Sequence, residues 1–201
     1  MTTAVAKTSR RQQILEALAR ELELHPGTPI TTAGLAKAVG ISEAALYRHF
    51  PSKAKMFEAL IEFSEDTIFG LCTRIANDEK GAASRCDKLL RVLLGFADKN
   101  PGITRILMGD ALVGEHERLR TRVAQFYERL ETQIKQFVRE GVMHEELAED
   151  TPINAVANLL LASAEGRMNQ FVRSGFTRRP TEMWDQQWQT ISDALFELSL
   201  A

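Results

Sequence analysis

The stretch Ile30-Thr31-Thr32-Ala33-Gly34-Leu35-Ala36-Lys37-Ala38-Val39-Gly40-Ile41-Ser42-Glu43-Ala44-Ala45-Leu46-Tyr47-Arg48-His49-Phe50 decides the fold of this chain. It reads as a short helix, a glycine turn and a second short helix, and Pro51-Ser52-Lys53 opens a third. Ala36 is small enough to let the two helices approach. Gly40 can take the positive φ of the turn, and Leu46 plugs the second helix back onto the first. This is the layout of a helix-turn-helix, whose second helix enters the DNA major groove; a purely structural helical hairpin is the alternative. Thr31 and Thr32, Ser42 and Ser52 each precede a helix and are good N-caps. Three helix N-termini within 22 residues offer backbone N–H groups to phosphate oxygens. Tyr47, His49 and Lys53 add a hydroxyl, an imidazole and an ammonium.

Leu46-Tyr47-Arg48-His49-Phe50-Pro51-Ser52-Lys53, followed by a long helix, resembles the head of the TetR family of dimeric, all-helical DNA-binding regulators. Further segments are similar to one branch of that family, the nucleoid occlusion factors. They are Met56-Phe57, Leu60-Ile61-Glu62-Phe63, Leu93-Leu94-Gly95-Phe96, Asn100 to Leu107, Arg167 with Phe171-Val172-Arg173-Ser174, Phe176, and Arg179-Pro180-Thr181. The expected fold is all-α with about nine helices. Residues 1–9 are expected to form a mobile arm, 10–54 the DNA-binding domain, and 55–201 a helical dimerisation and partner-binding domain.

Charge supports a docking end. The net charge is −2, yet residues 1–60 hold eight Lys/Arg against five Glu, a net of +3, which leaves −5 on the remainder. A basic head on an acidic body suits DNA binding at one end. The start of the chain lacks the apolar core of a signal peptide. The apolar-rich stretch Thr151–Ala164 is too short to span a bilayer and contains Asn154 and Asn158. Cys72 and Cys86, with no zinc-type spacing, read as reduced thiols of a cytoplasmic, nucleoid-associated protein.

Helical periodicity organises the rest. Ile14, Leu15, Leu18 and Leu22 mark a helix over Arg10–Leu24, ended by His25-Pro26-Gly27. From Ser52 to about Asn77, Phe57, Leu60, Ile61, Ser64, Ile68, Leu71 and Ile75 share one face. The next helix, about Ser84–Lys99, is apolar nearly all round and belongs at the centre of the body. After the Asn100-Pro101-Gly102 stop come a short helix near Ile103–Met108 and a long one over Glu117–Glu140, striped by Leu119, Val123, Phe126, Leu130, Ile134 and Phe137. A polar connector, Gly141–Asp150, leads to Thr151-Pro152, with threonine at the cap of the next helix. A last helix spans about Glu182–Leu200, where Trp184, Trp188, Ile191, Leu195 and Leu198 form a heptad seam.

Candidate roles follow. For DNA they are Thr31, Thr32, Ser42, Glu43, Ala44, Tyr47, Arg48, His49 and Lys53. Arg48 is the one residue of the second helix able to bind a guanine bidentately, and Thr31, Tyr47, His49 and Lys53 clamp the backbone. For the dimer, Leu160, Ala164 and Met168 pair with Trp184, Trp188, Ile191 and Leu195 in a four-helix bundle; closure of the monomer core is the alternative use of that stripe. The resemblance implies double-stranded palindromic DNA and the division protein FtsZ as partners, with Phe63, Val92, Gly95, Lys99 and Asn100 receiving the FtsZ tail. It also implies that the head's DNA-bound dimer blocks division over the nucleoid; a ligand-responsive repressor is the second reading. Gly95 costs a helix about 1 kcal/mol relative to alanine; close approach of another backbone, or internal packing, would explain it. The chain departs from the family's pattern around the arginine of the long helix, where it reads Gly70-Leu71-Cys72-Thr73-Arg74-Ile75. Four scattered histidines and the acidic neighbours of His144 form no nucleophile–base pair, phosphate loop or metal spacing. No enzyme activity, cofactor, metal, membrane segment or small-molecule effector is expected.

Overall fold

Ile14, Leu18 and Leu22 turn one face of the first helix inward, and the head is built around them. The computed structural model describes residues 9–196, so residues 1–8 of the expected arm, and Leu198 with the end of the expected last helix, lie outside it. Helix α1 (Arg10–Leu24) is capped by Ser9. Helices α2 (Thr32–Val39) and α3 (Glu43–His49) pack on it through Leu35, Ala36, Leu46 and Phe50. Helix α4 (Lys53–Asp78) leaves the head and runs down the body.

The body follows as α5 (Ala82–Lys99), α6 (Pro101–Leu107), a single 3₁₀ turn (Asp110–Leu112), α7 (Glu117–Met143), α8 (Ile153–Arg173) and α9 (Trp184–Leu195). The described residues are all-α, with nine α-helices. Helix α5 is central: it touches α4, α6, α7 and α8, and Cys86, Leu89, Leu90, Leu93 and Leu94 are fully buried. Among the described residues no helix is long and apolar enough to cross a membrane.

Head and body are joined without slack at α1 and α6. A Cβ on Gly102 would lie 1.9 Å from the carbonyl oxygen of Ala19, so the two backbones touch where only glycine fits. Arg105, buried one turn on, donates from Nη1 to the Leu22 carbonyl at 2.6 Å and from Nε to Asp110 at 2.5 Å. Its guanidinium thereby satisfies the carbonyl end of α1, where a cation is favoured.

Several expectations need correction. Leu71 is exposed and Cys72 takes the inward place, one turn from the buried Ile68 and Ile75. Asn100 ends α5 and starts α6 at once, with Pro101 in the first turn. Helix α7 runs on to Met143, with Gly141 packed against Ala82. Helix α5 starts at Ala82, whose N–H donates to Glu146 at 2.6 Å. Thr151 does not cap α8: its hydroxyl donates back to the Ala148 carbonyl at 2.7 Å, and Pro152 holds the cap position. Helix α9 starts at Trp184, after Met183 in the left-handed region (φ 59°).

The residues of the expected dimer seam divide into two groups. Leu160, Ala164, Met168 and Trp184 are buried within the single chain, so they close its own core. Trp188, Ile191 and Leu195 are half-buried and pack against that core. Trp184 is held further by its indole N–H, which donates to Asp87 on α5 at 3.0 Å. The surface left open on α8 is a different face, with Ala155, Leu159, Ala162 and Gly166 exposed at helical spacing.

Two outcomes follow. Gly102→Ala is expected to lower stability by about 2 kcal/mol or more, as overpacking against backbone does, read as a shifted urea midpoint at unchanged slope. Burial raises the Cys72 thiol to about 11 and the Cys86 thiol to about 12. The native protein should therefore leave both thiols unlabelled by Ellman's reagent at pH 8 and release two equivalents on denaturation.

Candidate nucleic-acid interface

Three hydroxyls hold the two short helices and the start of α4 in place. Thr31 Oγ1 accepts from Gly34 N–H at 3.1 Å, Ser42 Oγ from Ala45 N–H at 3.2 Å and Ser52 Oγ from Lys55 N–H at 3.2 Å. Each satisfies one of the first-turn donors that a helix cannot satisfy itself. The turn between α2 and α3 is set by Gly40 at φ 72°, with Gly40 N–H on Lys37 and Ile41 N–H on Ala36. The expected turn is present, and so are the caps by Thr31, Ser42 and Ser52. Thr32 is the first residue of α2 rather than a residue before it.

The outer face of α3 carries the candidate DNA set. Glu43, Ala44, Tyr47, Arg48 and His49 are exposed, Tyr47 at 45%. Thr32 and Glu43 are not independent. Thr32 Oγ1 donates to Glu43 at 2.8 Å, and the Tyr47 hydroxyl lies 3.5 Å from Thr32 Oγ1 on the donor side. This chain links α2 to α3 and points the Tyr47 ring outward. Arg11, which the sequence reading missed, supports the far end: its Nη1 donates to the His49 carbonyl at 3.2 Å, and its guanidinium sits 4.1 Å above the Phe50 ring. A basic residue at the start of α1 carried no signal for that role, because the contact crosses 38 positions.

Lys53 stands apart from this set. It opens α4, and its ammonium is paired with Glu115 in the loop that leads into α7. Two more pairs continue down the α4–α7 contact, Glu58 with Arg118 at 2.7 Å and Glu65 with Arg122 at 2.6 Å. The hydrogen bond from Lys55, helped by the Arg118 charge, holds the Glu58 carboxyl below its ordinary range.

The second candidate set lies on α4 and α5. Phe63 is 46% exposed, with its ring 6.0 Å from that of Phe96. It lines a cleft of about 430 Å³ with Leu15, Ala19, Leu60, Asn100 and Ile103. Asn100 is fixed by its amide donating to the Phe96 carbonyl at 2.8 Å. Lys99 and Asn100 also border a neighbouring cleft against Ala19 and Glu23 of α1. Val92 and Gly95 lie back along α5, outside both clefts. A Cβ on Gly95 would meet nothing within 4 Å, so internal packing does not require glycine there. Arg74 is exposed, and eleven residues after Phe63 it falls within about 20° of the same α4 face. Among the described residues no three His, Cys, Asp or Glu side chains are grouped to hold a metal.

Comparison with known proteins agrees with this geometry. Residues 14–60 match the family described as bacterial regulatory proteins, tetR family, and residues 80–196 match the tetracyclin repressor-like C-terminal domain of SlmA-like proteins. The chain is 57% identical to the nucleoid occlusion factor SlmA of Alteromonas mediterranea, over 92% of this chain and 95% of that one. It is 53% identical to SlmA of Idiomarina loihiensis, over 96% and 98%. Among solved structures, the fatty acid degradation regulator FadR of Bacillus halodurans superposes with a TM-score of 0.77 at 12% identity, over 92% and 96% of the two chains. The ketosteroid regulator KstR2 of Mycobacterium tuberculosis does so at 0.75 and 17%, over 97% and 99%. At such identities these two speak for the fold alone. The sequence matches carry further: the chain belongs to the TetR family of DNA-binding regulators and, within it, to the nucleoid occlusion factors.

Proposed function

We propose that the protein binds palindromic chromosomal DNA as a dimer and, so bound, antagonises FtsZ polymerisation and blocks division over the nucleoid. The exposed α3 face supports the DNA half of this reading. Ala44 offers a methyl contact, Arg48 a bidentate donor for guanine, and Tyr47 and His49 partners for phosphate. Thr31 and Ser42 act indirectly here, as caps that aim the helices. Thr32 and Glu43 brace Tyr47.

The observation that carries the FtsZ half is Phe63, a large apolar ring half out of the surface over the cleft it forms with α1 and the start of α6. An exposed aromatic over a cleft is what an extended peptide anchors on. Gly95 leaves room for a second backbone, and Val92, Lys99 and Asn100 lie along the same side of α5. Arg74 extends the α4 wall by about 16 Å. We place the dimer contact on the open face of α8, where Ala155, Ala162 and Gly166 admit a close helix and Leu159, 52% exposed, supplies the apolar knob.

One observation favours a second reading, a ligand-controlled repressor. A cleft of about 650 Å³ between α7 and α8 is lined by Leu107, Leu112, Val123, Tyr127, Glu165 and Arg173. The Tyr127 hydroxyl is buried there without a protein partner among the described residues. Burial, with Glu131 adding, raises the Glu165 carboxyl.

Titrating a fluorescent FtsZ C-terminal tail peptide with the protein should give saturable anisotropy, and Phe63→Ala should weaken it by roughly tenfold or more while leaving DNA binding intact. Absence of peptide binding by the folded protein would hand the lead to the repressor. Leu159→Glu should convert a dimer to monomers in sedimentation equilibrium, because a carboxylate is costly in an apolar helix seam; an unchanged dimer would move the interface elsewhere.

A further inference from the structure

The head's lysine is not waiting empty-handed for DNA. Lys53 is the first residue of α4, placed where the helix-turn-helix ends and the body begins. Its ammonium is taken by Glu115, a residue of the body 62 positions away, and both side chains are largely withdrawn from solvent. The pair belongs to a row. On the α4 side the charges run Lys53, Glu58, Glu65; on the side of α7 and its leading loop they run Glu115, Arg118, Arg122. The pair nearest the head has the opposite polarity to the two below it. Its carboxylate holds the ammonium that a phosphate oxygen would have to reach if Lys53 is to serve DNA.

We infer that Glu115 is an internal competitor of DNA: in the free protein it occupies Lys53, and a DNA phosphate must displace it. This rests on the DNA-binding reading above. The ammonium has three donors, so geometry alone would let it hold both anions. Charge opposes it, since phosphate and carboxylate would repel each other around a single cation in a part-buried site.

The consequence reaches the body. Glu115 lies two residues before α7, and α7 packs along α4, α5 and α8. Displacing Glu115 frees the loop ahead of α7 from the head while Arg118 and Arg122 keep the helix itself tied to Glu58 and Glu65. DNA occupancy therefore loosens the loop that leads into a body helix. By reciprocity, anything that draws the 113–116 loop away from α4 raises DNA affinity.

The test uses a labelled duplex enriched from a random-sequence pool by the wild-type protein, with binding followed by anisotropy over a salt series. Glu115→Gln should tighten binding about three- to tenfold at low salt. It should also steepen the salt dependence by up to about one ion, because no carboxylate has to take up a cation on release. Glu117→Gln removes the same charge from an exposed site two residues on and should change affinity less than about twofold. In a Lys53→Met background, Glu115→Gln should give no more than Glu117→Gln does. Equal effects of the two glutamine variants, or a Glu115→Gln gain that survives Lys53→Met, would overturn the inference. Failure of the wild-type protein to enrich any duplex would instead sink the DNA-binding reading, and the inference with it.

Discussion

The contact of Gly102 with the Ala19 carbonyl is the constraint on which the rest of the structure depends. Two helix backbones meet with no side chain between them, and Arg105 fastens the end of α1 from below. A helix of the body thus sets the position of the first helix of the head. Since α2, α3 and the start of α4 are packed around α1, the DNA-facing surface inherits its orientation from α6. Interior packing of this kind transmits displacement rather than absorbing it.

Within the head, polar groups divide into those that build and those that remain for a partner. Thr31, Ser42 and Ser52 are spent on helix caps, and Thr32 and Glu43 on each other. What is left outward is narrower than composition suggests: Ala44, Tyr47, Arg48 and His49 on one short helix. Preorganisation is the gain. The two short helices and the Tyr47 hydroxyl are held before docking, and docking costs less when the backbone of the face is already ordered.

Electrostatics joins the two halves in a second way. The row of pairs along α4 and the start of α7 is only part-buried, so each pair contributes modestly to stability. Their value is positional, because they register one long helix against another. Lys53 makes that register sensitive to what arrives at the head. Helix α8, whose open face carries small residues and Leu159, packs on α5, α6 and α7, whereas the row of ion pairs runs between α4 and the start of α7.

The sequence by itself determined the elements whose cause is local. Periodic apolar residues placed α1, α4, α5, α7 and α8, and Gly40 with three hydroxyl caps placed the helix-turn-helix, because cap and turn chemistry acts over three or four positions. Resemblance of motifs along the chain marked the family. Tertiary structure decided what depends on a neighbour arriving from far along the chain. Leu160, Ala164, Met168 and Trp184 are apolar enough for a dimer seam, yet the chain's own core had first claim on them. Lys53 was legible as a free phosphate ligand until Glu115 came beside it, and Arg11 carried no sign that it would brace α3. Periodicity says that a face will be buried. Only packing decides what buries it, because the hydrophobic effect is non-directional and names no partner.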